Sequence, residues 1–109
     1  MAANYNITVN KNADFSRSFQ VKVDGVAVDI SGYSFAGTLK ENIHETAGVD
    51  FITVIASAAD GLFNVSLTDE TTAGMKPGNW VYDILMTDSA GLKTRLLEGY
   101  AYVKGGVTA

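Results

Sequence analysis

Few side chains in this sequence have the types and spacing that enzyme chemistry requires. His44 is the single histidine and the chain has no cysteine, which excludes thiolate nucleophiles, zinc–thiolate sites and iron–sulfur clusters. A Ser-His-Asp arrangement would have to use His44, which lies between Ile43 and Glu45 in a polar stretch, and no Gly-x-Ser-x-Gly sequence is present. We interpret His44 as a solvated loop residue.

Asp83 and Glu98 are the best candidates for acid–base catalysis, because both lie in strongly patterned segments and a glycosidase needs two carboxylates facing one cleft. The alternative is that each carboxylate points outward and pairs across strands with Lys93 or Arg95. Asp69-Glu70 lacks the alternating oxygen ligands of a calcium site and fits the start of a helix better. We therefore expect a protein that is not an enzyme and holds no metal or cofactor.

The charge balance argues against several classes of partner. Twelve acidic and eight basic side chains give a formal charge of -4, so nonspecific binding to a nucleic-acid backbone is not expected. Apolar stretches such as Val54–Ala56 are far shorter than a membrane span, and Met1–Asn6 does not resemble a secretory leader. Charged residues make up only 18% of the chain, which suits a surface partly covered by other proteins.

Hydrophobic residues alternate with polar ones through most of the chain, as half-buried antiparallel strands require. Asp24-Gly25 and Ala59-Asp60-Gly61 are typical turn signals between such segments. About seven short strands in one domain predict an all-β, immunoglobulin-like antiparallel sandwich. The predicted core residues are Phe15, Phe19, Phe35, Phe63, Trp80, Tyr82, Ile84 and Leu97.

Three segments depart from this alternation. Residues 41–48 are polar and predict an exposed loop, whereas Thr68–Met75 has a capping threonine and early carboxylates that favour one or two helical turns. Residues 104–109 predict a flexible tail after a core spanning about 5–103. The whole chain, 1–109, is thus predicted to be one β-sandwich domain.

The aromatic residues allow two interpretations. Trp80 and Tyr82 are most simply core residues of a sandwich. A carbohydrate-binding module would instead expose aromatic rings, and Tyr33, Tyr100 and Tyr102 are the candidates for stacking on host glycans.

Edge character and loop polarity indicate where the domain would contact other proteins. The uncharged, β-prone segment Asn4–Val9 would either pair with a neighbour's sheet or form the first strand of its own sheet. The polar loop and the C-terminal segment are further candidates. The predicted contact residues are Asn4, Tyr5, Ile7, Val9, Glu41, His44, Glu45, Val103 and Lys104.

Three stretches resemble small β-sandwich virion proteins of tailed bacteriophages, including the N-terminal domain of upper baseplate proteins. The first is Ile7–Phe19, with Asp14-Phe15 before a strand, and the second is Gly25–Phe35, with Asp29-Ile-Ser-Gly-Tyr after a hairpin. The third runs from Gly78 to Val103 and contains Tyr82-Asp-Ile and Thr87-Asp. Ala27 stands where the family pattern has proline.

The resemblance implies a non-enzymatic structural protein of a phage particle, assembled in the bacterial host cytoplasm. Its partners would be tail, neck, baseplate or major capsid proteins, with a homo-oligomer also possible and with no nucleic acid or membrane. Capsid decoration is one alternative within this class. A carbohydrate-binding module is the alternative outside it.

Overall fold

The computed structural model describes residues 3–105 and has an all-β architecture. Several strands are two-residue pieces, which is why there are more than the seven predicted. In chain order the elements are β1 (Ala3–Asn4), β2 (Ile7–Asn10), β3 (Phe15–Gln20), β4 (Lys22–Val23), β5 (Val26–Ala27), β6 (Ser34–Lys40), β7 (Val49–Asp50), β8 (Ile52–Ser57), β9 (Leu62–Leu67), α1 (Asp69–Ala73), β10 (Gly78–Thr87) and β11 (Lys93–Lys104).

The strands form two principal sheets. The larger has the order β1-β11-β10-β6-β7, with β2 following β1 along the same side of β11, and the smaller has the order β3-β9-β8. β1 and β2 pair with β11 in parallel, whereas neighbouring strands otherwise run antiparallel. Two packed sheets with these strand orders form an immunoglobulin-like sandwich. The predicted fold class is therefore confirmed.

The core lies between the two sheets and follows the period-two pattern of the sequence. Trp80, Tyr82 and Ile84 on β10 are buried, and Phe35 of the larger sheet stacks on Phe63 of the smaller one with 4.1 Å between ring centroids. Of the predicted core residues, Phe15, Phe63, Trp80, Tyr82 and Ile84 are buried, and Phe19, Phe35 and Leu97 are partly buried against them.

The predicted helical turn is confirmed as α1. Thr68 is its N-cap, and its side chain accepts a hydrogen bond from the Thr71 amide at 3.3 Å. The buried Thr72 hydroxyl donates to the Ala13 carbonyl at 2.9 Å and ties the helix to the segment before β3. No helix in residues 3–105 is long and apolar enough to cross a membrane.

The structure confirms the predicted loop and corrects the predicted start of the C-terminal tail. Residues 41–48 contain no helix or strand, and His44 is exposed there, as predicted. The predicted tail begins too early, because β11 extends through Lys104 and pairs with β2 there. Residues 106–109, to which the prediction of a flexible tail also extends, lie outside the described residues.

Candidate functional site

The structure disperses the predicted contact residues and buries three of them. Ile7, Val9 and Val103 have between 0 and 6% of their surface exposed, so their side chains are closed to a partner and a contact at these positions would have to use the backbone. Strand alternation explains this result, because β2 and β11 turn one set of side chains into the core. Of the two interpretations of Asn4–Val9, the structure shows the strand in its own sheet.

That N-terminal strand nevertheless has an open outer side. The amides of Tyr5 and Lys11 donate to β11 carbonyls at 3.0 Å. Since successive peptide groups of a strand point to opposite sides, the backbone groups of Thr8 and Asn10 face away from β11. β2 is short, however, and exposes only polar side chains.

The other predicted contacts are accessible but lie apart. Tyr5 is held in place, since its carbonyl accepts a hydrogen bond from the Tyr82 hydroxyl and its ring meets Phe19 edge-on at 5.5 Å. Glu41, His44 and Glu45 are exposed in the loop after β6, where the His44 amide donates to Asn42 Oδ1 at 2.9 Å. The remaining two, Asn4 and Lys104, are exposed near opposite ends of the same sheet edge.

A hollow of about 570 Å³ occupies the solvent side of the larger sheet, and we call it the outer-face hollow. The register of β7, β6, β10, β11 and β1 aligns one row of polar residues across this face of the sheet, and all of them except Asp50 line the hollow. The row consists of Asp50, Thr38, Asp83, Glu98 and Asn4. Its residues come from distant parts of the sequence, so the row could not be identified from local spacing.

Asp83 and Glu98, the two carboxylates considered for catalysis, stand directly opposite each other and both line this hollow. Asp83 also pairs with Arg95 across the strands, with 3.1 Å between Nε and Oδ2, as the non-catalytic interpretation predicts for Asp83. Within residues 3–105, no group of three or more histidine and acidic side chains is arranged to hold a metal ion.

Tyr100 lines the outer-face hollow, and Tyr102 lies next to it over an adjoining hollow of about 330 Å³ that both tyrosines line. Tyr100 and Tyr102 are 62% and 48% exposed and lie on the same side of β11 as Glu98. The backbone beneath them is tightly fitted, because a Cβ on Gly99 would lie 2.5 Å from the Tyr5 carbonyl oxygen. Tyr33, the third candidate for glycan stacking, is partly buried against the core elsewhere.

A second surface feature is the outer strand of the smaller sheet, which we call the β8 edge (Ile52–Ser57). Ile52, Val54 and Ile55 are 50%, 55% and 36% exposed, and the strand has no charged residue. In the described part of the chain no strand pairs with its outer side. The run of β-branched residues from Ile52 to Ile55 is typical of a strand, but nothing in the local sequence indicates that its outer side is open.

A narrow groove of about 210 Å³ separates the β8 edge from the start of β6. The Thr53 hydroxyl bridges it by donating to the Phe35 carbonyl at 2.8 Å. This bond satisfies a β6 carbonyl that would otherwise face the groove, and it joins the two sheets at this point. The side chain of Val54 lies beside the Thr53–Phe35 bond and remains exposed.

Two side chains have displaced pKa values, each with a local structural cause. Hydrogen bonds from the Ser31 hydroxyl and then the Ser31 amide lower the pKa of Asp29. Burial, with a smaller contribution from Tyr5, raises the pKa of Tyr82 to about 12. Asp29 thus stabilises the turn that contains Ser31, and Tyr82 packs in the core.

The fold and these surfaces define the class of protein as a small immunoglobulin-like sandwich with an apolar open edge and a polar hollow on its opposite sheet. No protein-family model matches the sequence, and no curated protein matches it.

Proposed function

We propose that this chain is a non-enzymatic structural subunit of a tailed-phage particle, attached to neighbouring virion proteins through the β8 edge. The observation that carries the proposal is the exposed, uncharged strand Ile52–Ser57 at the margin of the smaller sheet. The resemblance of Ile7–Val103 to phage β-sandwich proteins supplies the class of particle. The low charged fraction of 18% agrees with a surface that other subunits cover in part.

The β8 edge has the physical properties of a pairing surface. An unpaired strand presents backbone donors and acceptors to any neighbouring strand, and soluble proteins usually protect such edges with lysine, proline or bulges. β8 contains neither lysine nor proline, and its one irregularity falls between Ile55 and Ser57. Ile52–Ile55 is therefore regular and available for the addition of a strand.

Contact with the exposed aliphatic side chains would add to backbone pairing. Ile52 and Val54 project from one side of the strand and Ile55 from the other, so an added strand or a neighbouring loop would bury apolar surface on both faces. Such a contact is small by itself. Many symmetry-related copies in a particle would raise the overall affinity.

The test compares lysine substitutions at two exposed valines. Val54→Lys places a charge on the β8 edge, whereas Val26→Lys places the same charge at the β4–β5 hairpin tip, where Val26 is 68% exposed. Epitope-tagged variants are produced during phage growth, and particles purified by density are probed for the tag. We expect Val54→Lys to reduce incorporation by about tenfold, or about 1.4 kcal/mol, and Val26→Lys to incorporate normally.

The outcomes separate the parts of the proposal. Absence of the unsubstituted chain from purified particles would refute the virion function. Equal incorporation of both variants would refute the role of the β8 edge. Dissociated heads and tails show which partner is involved, and capsid-bound chain would identify the decoration alternative.

A further inference from the structure

We propose that the outer-face hollow, together with the adjoining hollow beside Tyr102, binds an uncharged oligosaccharide, with Tyr100 and Tyr102 as the stacking platform. The site lies on the larger sheet, away from the β8 edge, and therefore does not depend on how the chain attaches to other proteins. The proposal gives a ligand class to a surface that attachment through the β8 edge does not use.

The tyrosines provide the apolar part of the site. They are two residues apart on one side of β11, so their rings originate about 7 Å apart along a straight strand. Both are about half exposed or more, so both rings are open to a ligand. Sugar rings have apolar C–H faces, and a tyrosine ring buries such a face at a small cost in side-chain entropy.

The polar residues around the tyrosines supply both kinds of hydrogen-bonding group. Glu98 is an acceptor, Lys40 is a donor, and the Asn4 amide is both. Asp83 is held by Arg95 through one oxygen, Oδ2, which leaves Oδ1 free to accept. A sugar hydroxyl donates and accepts at once, so this mixed set suits a polyhydroxy ligand.

The charges indicate that the ligand is neutral. Two cationic side chains, Lys40 and Arg95, face two carboxylates, Asp83 and Glu98, around the same hollow. Their charges cancel, so the hollow favours neither a phosphate nor a polycation. A protein partner is less suited to this surface than to the β8 edge, because the polar row would have to be desolvated.

The backbone under the site is held by continuous strand pairing before any ligand binds. β10 and β11 are the two longest strands and pair along their whole length with one irregularity, between Ile84 and Leu85. The Tyr100 amide donates to Asn6 Oδ1 at 2.9 Å. This bond holds β11 at the point where Glu98 is followed by the two tyrosines. Preorganisation of this kind lowers the entropic cost of binding.

The experiment is calorimetric titration of the full chain with three neutral hexasaccharides, of β-1,4-linked glucose, β-1,4-linked N-acetylglucosamine and α-1,4-linked glucose. A hexasaccharide of hyaluronan serves as the acidic comparison. We expect at least one neutral probe to bind. Tyr100→Ala and Tyr102→Ala should each weaken that Kd by about tenfold, the loss typical of an aromatic anchor.

Two further variants make the result specific. Tyr100→Phe keeps the ring and should retain most of the affinity. Leu92→Ala removes an apolar side chain that is 67% exposed at the β10–β11 turn and should leave binding unchanged. Thermal unfolding of each variant verifies that the fold is intact.

Failure of all three neutral probes to bind would overturn the proposal, as would binding that survives Tyr100→Ala and Tyr102→Ala together. Equal affinity for the acidic probe would overturn the inferred neutrality. None of these outcomes bears on incorporation into particles, so the proposed structural role stands or falls separately.

Discussion

At the scale of single residues, Tyr82 shows how a buried polar group joins distant parts of this chain. Its ring packs edge-on against Phe51 with 6.0 Å between centroids, and its hydroxyl donates to the Tyr5 carbonyl. Burial favours the neutral phenol over the phenolate and raises the pKa of Tyr82 to about 12. The N-terminal strand is therefore attached through a hydrogen bond that needs a protonated tyrosine.

The raised pKa predicts a loss of stability in alkaline solution. In the unfolded chain the tyrosine ionises near pH 10, while in the folded chain it remains neutral until about pH 12. The unfolded state thus binds fewer protons in this window, so the free energy of unfolding falls as pH rises from 10 to 12. Urea unfolding followed by Trp80 fluorescence at pH 8 and pH 11 measures the change.

Tyr82→Phe is the variant that isolates this effect. It should cost about 1 kcal/mol at pH 8, because the Tyr5 carbonyl loses its donor, and its stability should fall less between pH 8 and 11. Tyr102→Phe, at an exposed ring, should behave like the unsubstituted chain. An identical alkaline loss in Tyr82→Phe would contradict the assignment.

The sequence pattern predicted the burial of these aromatic residues better than it predicted their contact partners. Trp80 and Tyr82 share a parity with Ile84, so their burial followed from alternation alone. The partner of Tyr82 is 77 residues away in the chain, and nothing local identifies it. The exposure of Tyr100 and Tyr102 could not be predicted from alternation either, because both parities of that strand contain apolar residues.

At the scale of elements, α1 is a short helix that depends on bonds to the rest of the fold. Isolated helices of this length are not stable in water. Asp14 accepts from the Asp69 amide at 2.8 Å, and Thr72 donates to the Ala13 carbonyl at 2.9 Å. These two bonds link the helix to the segment before β3.

Replacing Thr72 with valine should therefore destabilise the protein while preserving its shape. The buried Ala13 carbonyl would lose its donor, at a cost of about 1–3 kcal/mol. Thr71→Val makes the same change at an exposed position of the same helix, where the hydroxyl bonds the exposed N-cap hydroxyl of Thr68 at 3.0 Å, and should cost less than about 1 kcal/mol. Urea titration monitored by Trp80 fluorescence compares them, and equal losses would show that helix propensity, not the tertiary bond, is responsible.

The strands illustrate what local pattern cannot determine. Turn dipeptides and alternation located the strands, including the Asp24-Gly25 hairpin, where both residues have positive φ. Which strands lie at sheet margins depends on pairings between distant segments. From the sequence, Asn4–Val9 was therefore only one candidate for an open edge, while the structure shows a more apolar open edge at β8.

At the scale of the whole molecule, one aromatic cluster connects the two sheets. Phe63 on β9 stacks on Phe35 and contacts Phe19 with 5.7 Å between centroids. Phe63 is fully buried. Its removal would leave a cavity at the centre of the interface between the sheets.

Phe63→Ala should cost about 3–5 kcal/mol, a large share of the roughly 5–15 kcal/mol that stabilises an ordinary domain. Phe19→Ala, at the partly buried rim, should cost less because its site can collapse or admit water. Chemical unfolding gives both values. A smaller loss for Phe63→Ala than for Phe19→Ala would place the centre of the core elsewhere.

The parallel pairing of β2 with β11 also has a kinetic consequence. The hydrogen bond between Tyr100 and Asn6 joins residues 94 positions apart, so this margin of the sheet has very high contact order. Such long-range closure is slow, because loop entropy is lost before the pairing compensates for it. During synthesis β2 cannot pair with β11 until nearly all of the described chain has left the ribosome. We therefore expect the contacts of Tyr5 and Asn6 with β11 to be among the last to form.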